Sequence, residues 1–174
     1  MDKKLPHKKD AKQQHVYNRI NAHRFLKKLR AIGTPQAQFY YLRGLDAFVF
    51  EEMILTSLKR KGFIIVRNDG YTGDGGIDGR AYYNDQHYLI QAKRYKGHIK
   101  ANDIDEFAAI CKRRKGRGLF VHTGKTGETA KTRAKEKRIE IVSGTRLLAL
   151  LLSEEERSDG LESLTKYAND VFTS

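Results

Sequence analysis

The sequence is poor in cysteine and proline, with one cysteine and two prolines among 174 residues, and it has no tryptophan. One cysteine cannot form a disulfide within the chain or build a cysteine-rich zinc site, which agrees with a reducing compartment. No apolar run approaches the roughly 20 residues needed to cross a bilayer, and the first segment, MDKKLPHKKDAKQQ, lacks the apolar stretch of a secretory signal. We therefore expect a soluble cytoplasmic protein with no membrane partner.

Acidic side chains are also scarce relative to basic ones. The chain has 34 Lys and Arg against 21 Asp and Glu, a net charge of +13. Such a surplus favours binding to a polyanion through release of counterions, and nucleic acid is the first candidate. A ribosome-like structural protein or a merely solvated cationic surface would have the same charge.

The charge divides the chain into three segments. Residues 1–30 carry ten basic and two acidic side chains, or +8 of the total. We predict a basic N-terminal helical arm over 1–45, a main domain over 46–152 and a C-terminal tail over 153–174. Within the first segment, apolar spacing predicts an amphipathic helix that ends at Gly33 and a second helix capped by Thr34.

The main domain opens with a helix capped by Asp46 and then changes to short β-branched runs typical of strands. The predicted strands are FIIVRN, IDGRAYY, HYLIQAKRY, GLFVHT and IEIVS. The first three follow one another with a turn at NDQ and form a meander, whereas the later ones alternate with helices and need crossover connections. The pattern predicts an α/β fold, a mixed five-stranded sheet flanked by helices on both faces.

Polar side chains interrupt the third strand and its neighbour. Gln91 and Lys93 share a face, because strand residues two apart point the same way. Asp78 lies on the preceding strand of the same hairpin and can approach Gln91 across the pair. The glycine-rich loop DGYTGDGG comes just before, and its Asp74 is a secondary ligand candidate, although an aspartate between glycines is more typical of a turn.

A pair of acids occupies the helix that begins the main domain. Apolar residues flank Glu51 at helical spacing, which predicts an inward position, while Glu52 is expected to face solvent. An inward carboxylate is costly to bury unless a cation or hydrogen bonds meet it. We expect Glu51, Asp78 and Gln91 to be the ligands of Mg²⁺, with Mn²⁺ as a substitute, because hard cations take oxygen ligands. Lys93 would add positive charge beside the reacting phosphate.

Several segments together resemble a known family. They are FEEMILTSLKRKGF, GDGGIDG, LIQAKRY, GLFVHTG and RLLALL, in this order over roughly residues 46 to 152. This arrangement is similar to the Mrr-like restriction endonucleases, a branch of the PD-(D/E)xK nuclease superfamily. The resemblance implies a restriction-endonuclease-like core, metal-dependent phosphodiester hydrolysis and DNA as substrate.

The resemblance also assigns roles residue by residue. Glu51 is similar to the helix acid, Asp78 to the metal-binding aspartate, and Lys93 to the catalytic lysine. Gln91 resembles the glutamine that this branch has in place of an acid, and its neutrality predicts weaker metal affinity. Because only residues 1 to 45 precede the matching segments, we do not expect the large additional DNA-binding domain of longer members, which leaves target specificity open.

Contacts with DNA phosphates are expected from further residues of the main domain. The candidates are Lys112, Arg113, Arg114, Thr123, Thr126 and Lys131. Basic side chains can position a duplex without reading its bases, and backbone N–H groups near the threonines would favour phosphate. Solvated helix faces and helix capping are the alternative readings of these residues.

Cutting both strands commonly needs two active sites, so a homodimer is a candidate assembly.

Two classes of function follow from these features. The first is a Mg²⁺-dependent DNA endonuclease, of restriction type or in DNA processing, with a structure-selective junction or repair nuclease as its variant. The second is a non-catalytic DNA-binding accessory protein that keeps a nuclease fold. Cleavage of DNA by the wild type but not by Lys93→Ala separates the two classes.

Overall fold

The computed structural model describes residues 11–67 and 75–153, which form six helices and five strands. The helices are α1 (Ala11–Arg30), α2 (Pro35–Gly44), α3 (Ala47–Arg60), α4 (Ala101–Arg113), α5 (Glu128–Glu136) and α6 (Gly144–Leu152). The strands are β1 (Ile64–Arg67), β2 (Gly79–Tyr83), β3 (Gln86–Lys93), β4 (Arg117–His122) and β5 (Ile139–Val142).

The strands form a single mixed sheet in the order β1-β2-β3-β4-β5. The first three pair antiparallel, whereas β3, β4 and β5 pair parallel through the crossover helices α4 and α5. Asn84 and Asp85 turn the chain between β2 and β3, both with positive φ, a conformation that these residue types tolerate. The predicted α/β class, the meander and the mixed five-stranded sheet are confirmed.

Helices cover both faces of the sheet, and each face has its own hydrophobic core. Tyr88 and Ile90 of β3 pack with residues of α1, α2, α3 and α6. Leu89 lies on the other face and packs with α4 and α5. This alternation confirms the predicted division of β3 into two faces and places Gln91 and Lys93 on the α4 side.

The segment predicted as a basic arm contributes to the main core. Leu26 and Leu29 of α1 and Leu42 of α2 are fully buried in the same cluster as α3. The division of the chain at residue 45 remains a prediction, and residues 1–10 and 154–174 lie outside the described part of the chain. No helix within residues 11–67 and 75–153 has the length and apolar character to cross a membrane.

Element boundaries differ from the predicted ones by a few residues. Helix α1 ends at Arg30, before Gly33, whereas Thr34 caps α2 and Asp46 caps α3 as expected. Strand β2 begins at Gly79 and leaves Asp78 just before the strand.

Candidate active site

Asp78 is held in place by the backbone of the strand opposite. Its N–H donates to the carbonyl of Ile90 at 2.8 Å, which continues the β2–β3 ladder by one residue and sets Asp78 across from Gln91. The backbone N–H of Ala92 donates to Oδ2 of Asp78 at 2.6 Å. The carboxylate therefore has a fixed orientation at the end of the β2–β3 hairpin.

Gln91 has one half of its amide satisfied and the other half without a donor. Its Nε2 donates to the carbonyl of Gly76 at 2.6 Å. A carbonyl only accepts, so this contact fixes which end of the amide is nitrogen. The opposite atom, Oε1, is buried and has no hydrogen-bond partner among residues 11–67 and 75–153. An amide oxygen is one of the ligand types that hard cations take, so this atom can serve as a ligand.

A glycine permits the contact with Gln91. Gly76 has a φ of +87°, and a Cβ there would lie 2.9 Å from Cδ1 of Ile110 in α4. Both the left-handed backbone and the close approach of α4 exclude an ordinary side chain without rearrangement. Gly76 thereby presents its carbonyl to the Gln91 amide.

Glu51 brings a second carboxyl group to Asp78 from α3. Burial, first, and the charge of Asp78, second, raise the pKa of Glu51 to about 8, while Arg94 opposes this shift. Burial likewise raises the pKa of Asp78 to about 6, against the Ala92 hydrogen bond and the charge of Lys93, which lower it. Burial and mutual repulsion therefore both oppose a double negative charge on this pair in the metal-free site.

Lys93 lies between two carboxylates. Its charge lowers the pKa of Asp78, and its Nζ donates to Oδ1 of Asp103 at 2.9 Å. The side chain is 33% exposed, and that of Asp103 is 16% exposed. A cleft of about 270 Å³ opens beside Lys93, lined also by Ala47 and Phe50 of α3.

The prediction for Glu52 was wrong. Its side chain is only 3% exposed and accepts a hydrogen bond from Nε of Arg67 in β1 at 2.8 Å. The apolar neighbours along α3 did not show which acid is more buried, because the partner comes from a strand. Glu51 is the less buried of the two and interacts electrostatically with Asp78 instead.

The donor set fits a hard divalent cation, although it has fewer acids than a dedicated carboxylate cage. It offers two carboxyl groups, from Glu51 and Asp78, and the amide oxygen of Gln91, which has no partner in the described part of the chain. Within residues 11–67 and 75–153 there is no group of three His, Cys, Asp or Glu that could hold a metal ion. Asp74, the secondary candidate, lies outside the described residues.

Comparison with known proteins identifies the family. The family model Mrr_cat, described as a restriction endonuclease, matches residues 42–151. The chain belongs to this restriction endonuclease family. No curated protein matches it.

Solved structures share the fold of this chain. The MspJI restriction endonuclease, in complex with a 27-mer oligonucleotide, superposes with a TM-score of 0.53 at 17% identity, over 98% of this chain and 40% of the MspJI chain. A protein of unknown function, AF1548, superposes with a TM-score of 0.52 at 15% identity, over 73% of this chain and 79% of its own. At such identities the likeness concerns the fold alone.

Two of the residues predicted to contact DNA phosphates have structural roles. Thr123 is fully buried, and its hydroxyl donates to the carbonyl of Tyr95 at 3.0 Å. This position gives it a structural role, and its contact with DNA stays a prediction. Thr126 does not begin α5, because that helix is capped at Gly127. Its hydroxyl instead lies 3.1 Å from Nε2 of His122.

The basic residues predicted to contact DNA phosphates are exposed. Lys112, Arg113 and Arg114 lie at the end of α4, and a Cβ on Gly75 would be 3.4 Å from Nη2 of Arg114, which places that guanidinium beside the site loop. Lys112 lines a cavity of about 1020 Å³ at the end of the sheet where β4 begins, away from the end at which β3 reaches Lys93. Lys131 is exposed on α5 and pairs with Glu128 at 2.7 Å. Phosphate contact by these four remains a prediction.

Sequence reasoning missed one residue of the site altogether. Asp103 looked like an acid in the first turn of a helix, a position that the helix dipole favours. Its contact with Lys93 depends on how α4 packs against the end of β3. Tyr95, two residues after Lys93, donates a hydrogen bond from its hydroxyl to the same carboxylate.

Proposed function

We propose that this protein is a Mg²⁺-dependent DNA endonuclease, of restriction type or acting in DNA processing. The observation that carries the proposal is the buried Oε1 of Gln91, which has no donor among the described residues and lies on the residue opposite Asp78. Glu51 and Lys93 complete the group of four predicted from the sequence. Membership of the restriction endonuclease family supports the same reaction.

Glu51, Asp78 and Gln91 would hold the ion, with Mn²⁺ able to replace Mg²⁺. When bound, such an ion supplies Lewis acidity toward a phosphoryl oxygen and lowers the pKa of a bound water. The residues of the chain hold and orient the reactants. Oδ2 of Asp78 is fixed by Ala92, and the Gln91 amide is fixed by Gly76.

The protonation of Glu51 sets a condition for activity. Because its pKa is about 8 in the metal-free site, Glu51 must lose a proton before both carboxylates can act as ligands. Lys93 contributes the positive charge that stabilises a developing phosphorane-like oxygen, in the manner of a preorganised electrostatic site. We expect cleavage to increase with pH between about 6 and 8 at limiting Mg²⁺.

DNA is the proposed substrate, and the net charge of +13 supports it. Arg19, Arg24 and Lys27 are exposed along α1, and Lys112 to Arg114 are exposed at the end of α4. These cations would neutralise backbone phosphates and position the duplex without reading its sequence. A cytoplasmic location and a homodimer that cuts both strands belong to the same proposal.

Cleavage assays test the proposal directly. Plasmid, linear duplex, single-stranded and branched DNA are incubated with the wild type, with Lys93→Ala and with the matched control Lys96→Ala, in Mg²⁺ and in chelator. The wild type and the Lys96→Ala control should cut in Mg²⁺ and not in chelator, whereas Lys93→Ala should bind DNA and cut it only at a small residual rate. Intact DNA with the wild type on every substrate would reject the nuclease function, and a preference for branched DNA would identify the structure-selective variant.

A non-catalytic DNA-binding role is the second candidate, and the cationic N-terminal segment favours it. Residues 1–30 carry +8, more than half of the net charge, and do not supply any of the four site residues. This role predicts salt-sensitive DNA binding that is unaffected by chelator. Cleavage that requires Mg²⁺ and Lys93 would exclude it.

A further inference from the structure

Asp103 joins two residues that follow each other closely at the end of β3. Oδ1 accepts a hydrogen bond from Nζ of Lys93 at 2.9 Å. Oδ2 accepts a short hydrogen bond from the hydroxyl of Tyr95. Both carboxylate oxygens are thus engaged, one by the candidate catalytic lysine and one by a phenol.

Tyr95 is held in place by contacts with other elements of the fold. The carbonyl of Tyr95 accepts from the hydroxyl of Thr123 at 3.0 Å and from Nε of Arg43 at 3.1 Å. A Cβ on Gly124 would lie 2.6 Å from Cβ of Tyr95, so a glycine is needed for the segment after β4 to pack there. These contacts from α2 and from the end of β4 hold Tyr95, which in turn orients the Asp103 carboxylate.

Lys93 needs such an orienting group more than the other site residues do. Asp78 and Gln91 are fixed by backbone contacts, but a lysine ammonium sits on a flexible four-carbon stem with three rotatable donors. A charge-assisted bond to a carboxylate that is itself anchored restricts that stem. Lys93 lies on the same face of β3 as Gln91, which is across the hairpin from Asp78, so its side chain extends on the side of the proposed site while it is bonded to Asp103. Its charge also lowers the pKa of Asp78.

We propose that Asp103 and Tyr95 are positioning residues that act through Lys93, by holding its ammonium beside Asp78 and Gln91. The inference rests on the proposed nuclease function and deepens it. Asp103 and Tyr95 touch neither DNA nor a metal ion in this scheme. Their contribution is therefore expected in turnover and not in substrate binding.

A double-mutant cycle under single-turnover conditions tests the inference. Asp103→Ala should lower the cleavage rate by about 10- to 100-fold, as expected for a misplaced catalytic group. The half-saturating DNA concentration should stay within about twofold, since uniform binding is unaffected. Tyr95→Phe should cause a smaller loss. In the Lys93→Ala background, Asp103→Ala should cause no further loss, because the residue through which it acts is already gone.

Two controls separate a positioning role from a general loss of structure. Asp103→Asn keeps an oxygen acceptor of nearly the same shape and should recover part of the rate that Asp103→Ala loses. NMR of the lysine ammonium groups detects the contact without any cleavage: the hydrogen-bonded ammonium signal of Lys93, assigned by its absence from Lys93→Ala, should be present in the wild type and lost in Asp103→Ala. Asp105→Ala, on the same helix and paired with Arg133 and Lys137, is the matched control and should leave both readouts unchanged.

The outcomes distinguish the inference from the function on which it rests. A wild-type cleavage rate in Asp103→Ala would overturn the positioning role while leaving the nuclease intact. Losses that multiply in the double mutant would show that Asp103 acts independently of Lys93 and would also overturn it. A wild type that fails to cut any DNA would reject the nuclease function itself and the inference with it.

Discussion

Replacing Glu51 by glutamine should stabilise the metal-free protein at neutral pH and remove its stabilisation by Mg²⁺. The wild-type carboxyl group is partly buried beside Asp78, and its pKa is raised from 4.5 to about 8. Ionising it is therefore harder in the folded state than in the unfolded state. The stability that the protonated group contributes is present below pH 4.5 and is lost as the pH rises through about 8.

The size of the effect follows from the two pKa values. One pKa unit corresponds to about 1.4 kcal/mol, so between pH 4.5 and pH 7 the folded wild type loses on the order of 3 kcal/mol relative to a neutral side chain. In a chain of this length such a difference raises Tm by roughly 6–12 °C. At pH 5 the same reasoning predicts a change of less than about 1 kcal/mol.

Thermal unfolding of both proteins in chelator at pH 5, 7 and 9, repeated with Mg²⁺, measures this effect. Glu51→Gln should exceed the wild type in Tm by more at each higher pH, and Mg²⁺ should raise Tm for the wild type only, through binding to the folded state. Glu52→Gln is the matched control. It breaks the pair with Arg67 and should lower the free energy of unfolding by about 3 kcal/mol, while keeping the response to Mg²⁺.

The outcome that would refute this reasoning is a Glu51→Gln protein less stable than the wild type in chelator at pH 7. In that case the Glu51 carboxylate would be a stabilising group of the fold and not a costly one. An equal Mg²⁺ response in both proteins would show that Glu51 does not bind the ion.

Three further predictions concern the other parts of the site. Asp78→Asn should reduce Mg²⁺-dependent cleavage by more than about 100-fold and leave salt-sensitive DNA binding in place, as measured by cleavage and fluorescence anisotropy; equal cleavage would remove Asp78 from the site. Gly76→Ala should lower the free energy of unfolding by about 1–2 kcal/mol, because alanine is strained at the positive φ of this position. It should also reduce cleavage, because the Gln91 amide loses the carbonyl that it binds. An unchanged unfolding curve would show that alanine is not strained there. Replacing Lys112, Arg113 and Arg114 together by alanine should make the salt dependence of DNA binding shallower by about 0.9 per lost phosphate contact, and an unchanged slope would exclude these cations from the interface.

Local patterns in the sequence were sufficient for the sheet and for the residues that the hairpin brings together. The β-branched runs, the Asn84–Asp85 turn and the alternation along β3 all depend on neighbours within a few positions. They predict that Asp78 faces Gln91, and the register of β2 and β3 agrees. Local sequence patterns were therefore enough to predict that Asp78 and Gln91 lie together at the centre of the candidate site.

Contacts between distant segments were beyond such patterns. Glu52 was expected in solvent because its helical neighbours are polar, but Arg67 meets it from β1. Asp103 reaches Lys93 only because α4 packs over the end of β3. Asp78 and Gln91 are paired by the register of one hairpin, whereas these two contacts depend on how a helix packs against a strand, which a local sequence pattern does not specify.

Anomalous scattering from crystals soaked in Mn²⁺ would locate the proposed ion. We expect one strong peak within coordination distance of Asp78 and of Oε1 of Gln91, absent from crystals of Asp78→Asn. No peak at saturating Mn²⁺, or a peak that avoids both side chains, would contradict it.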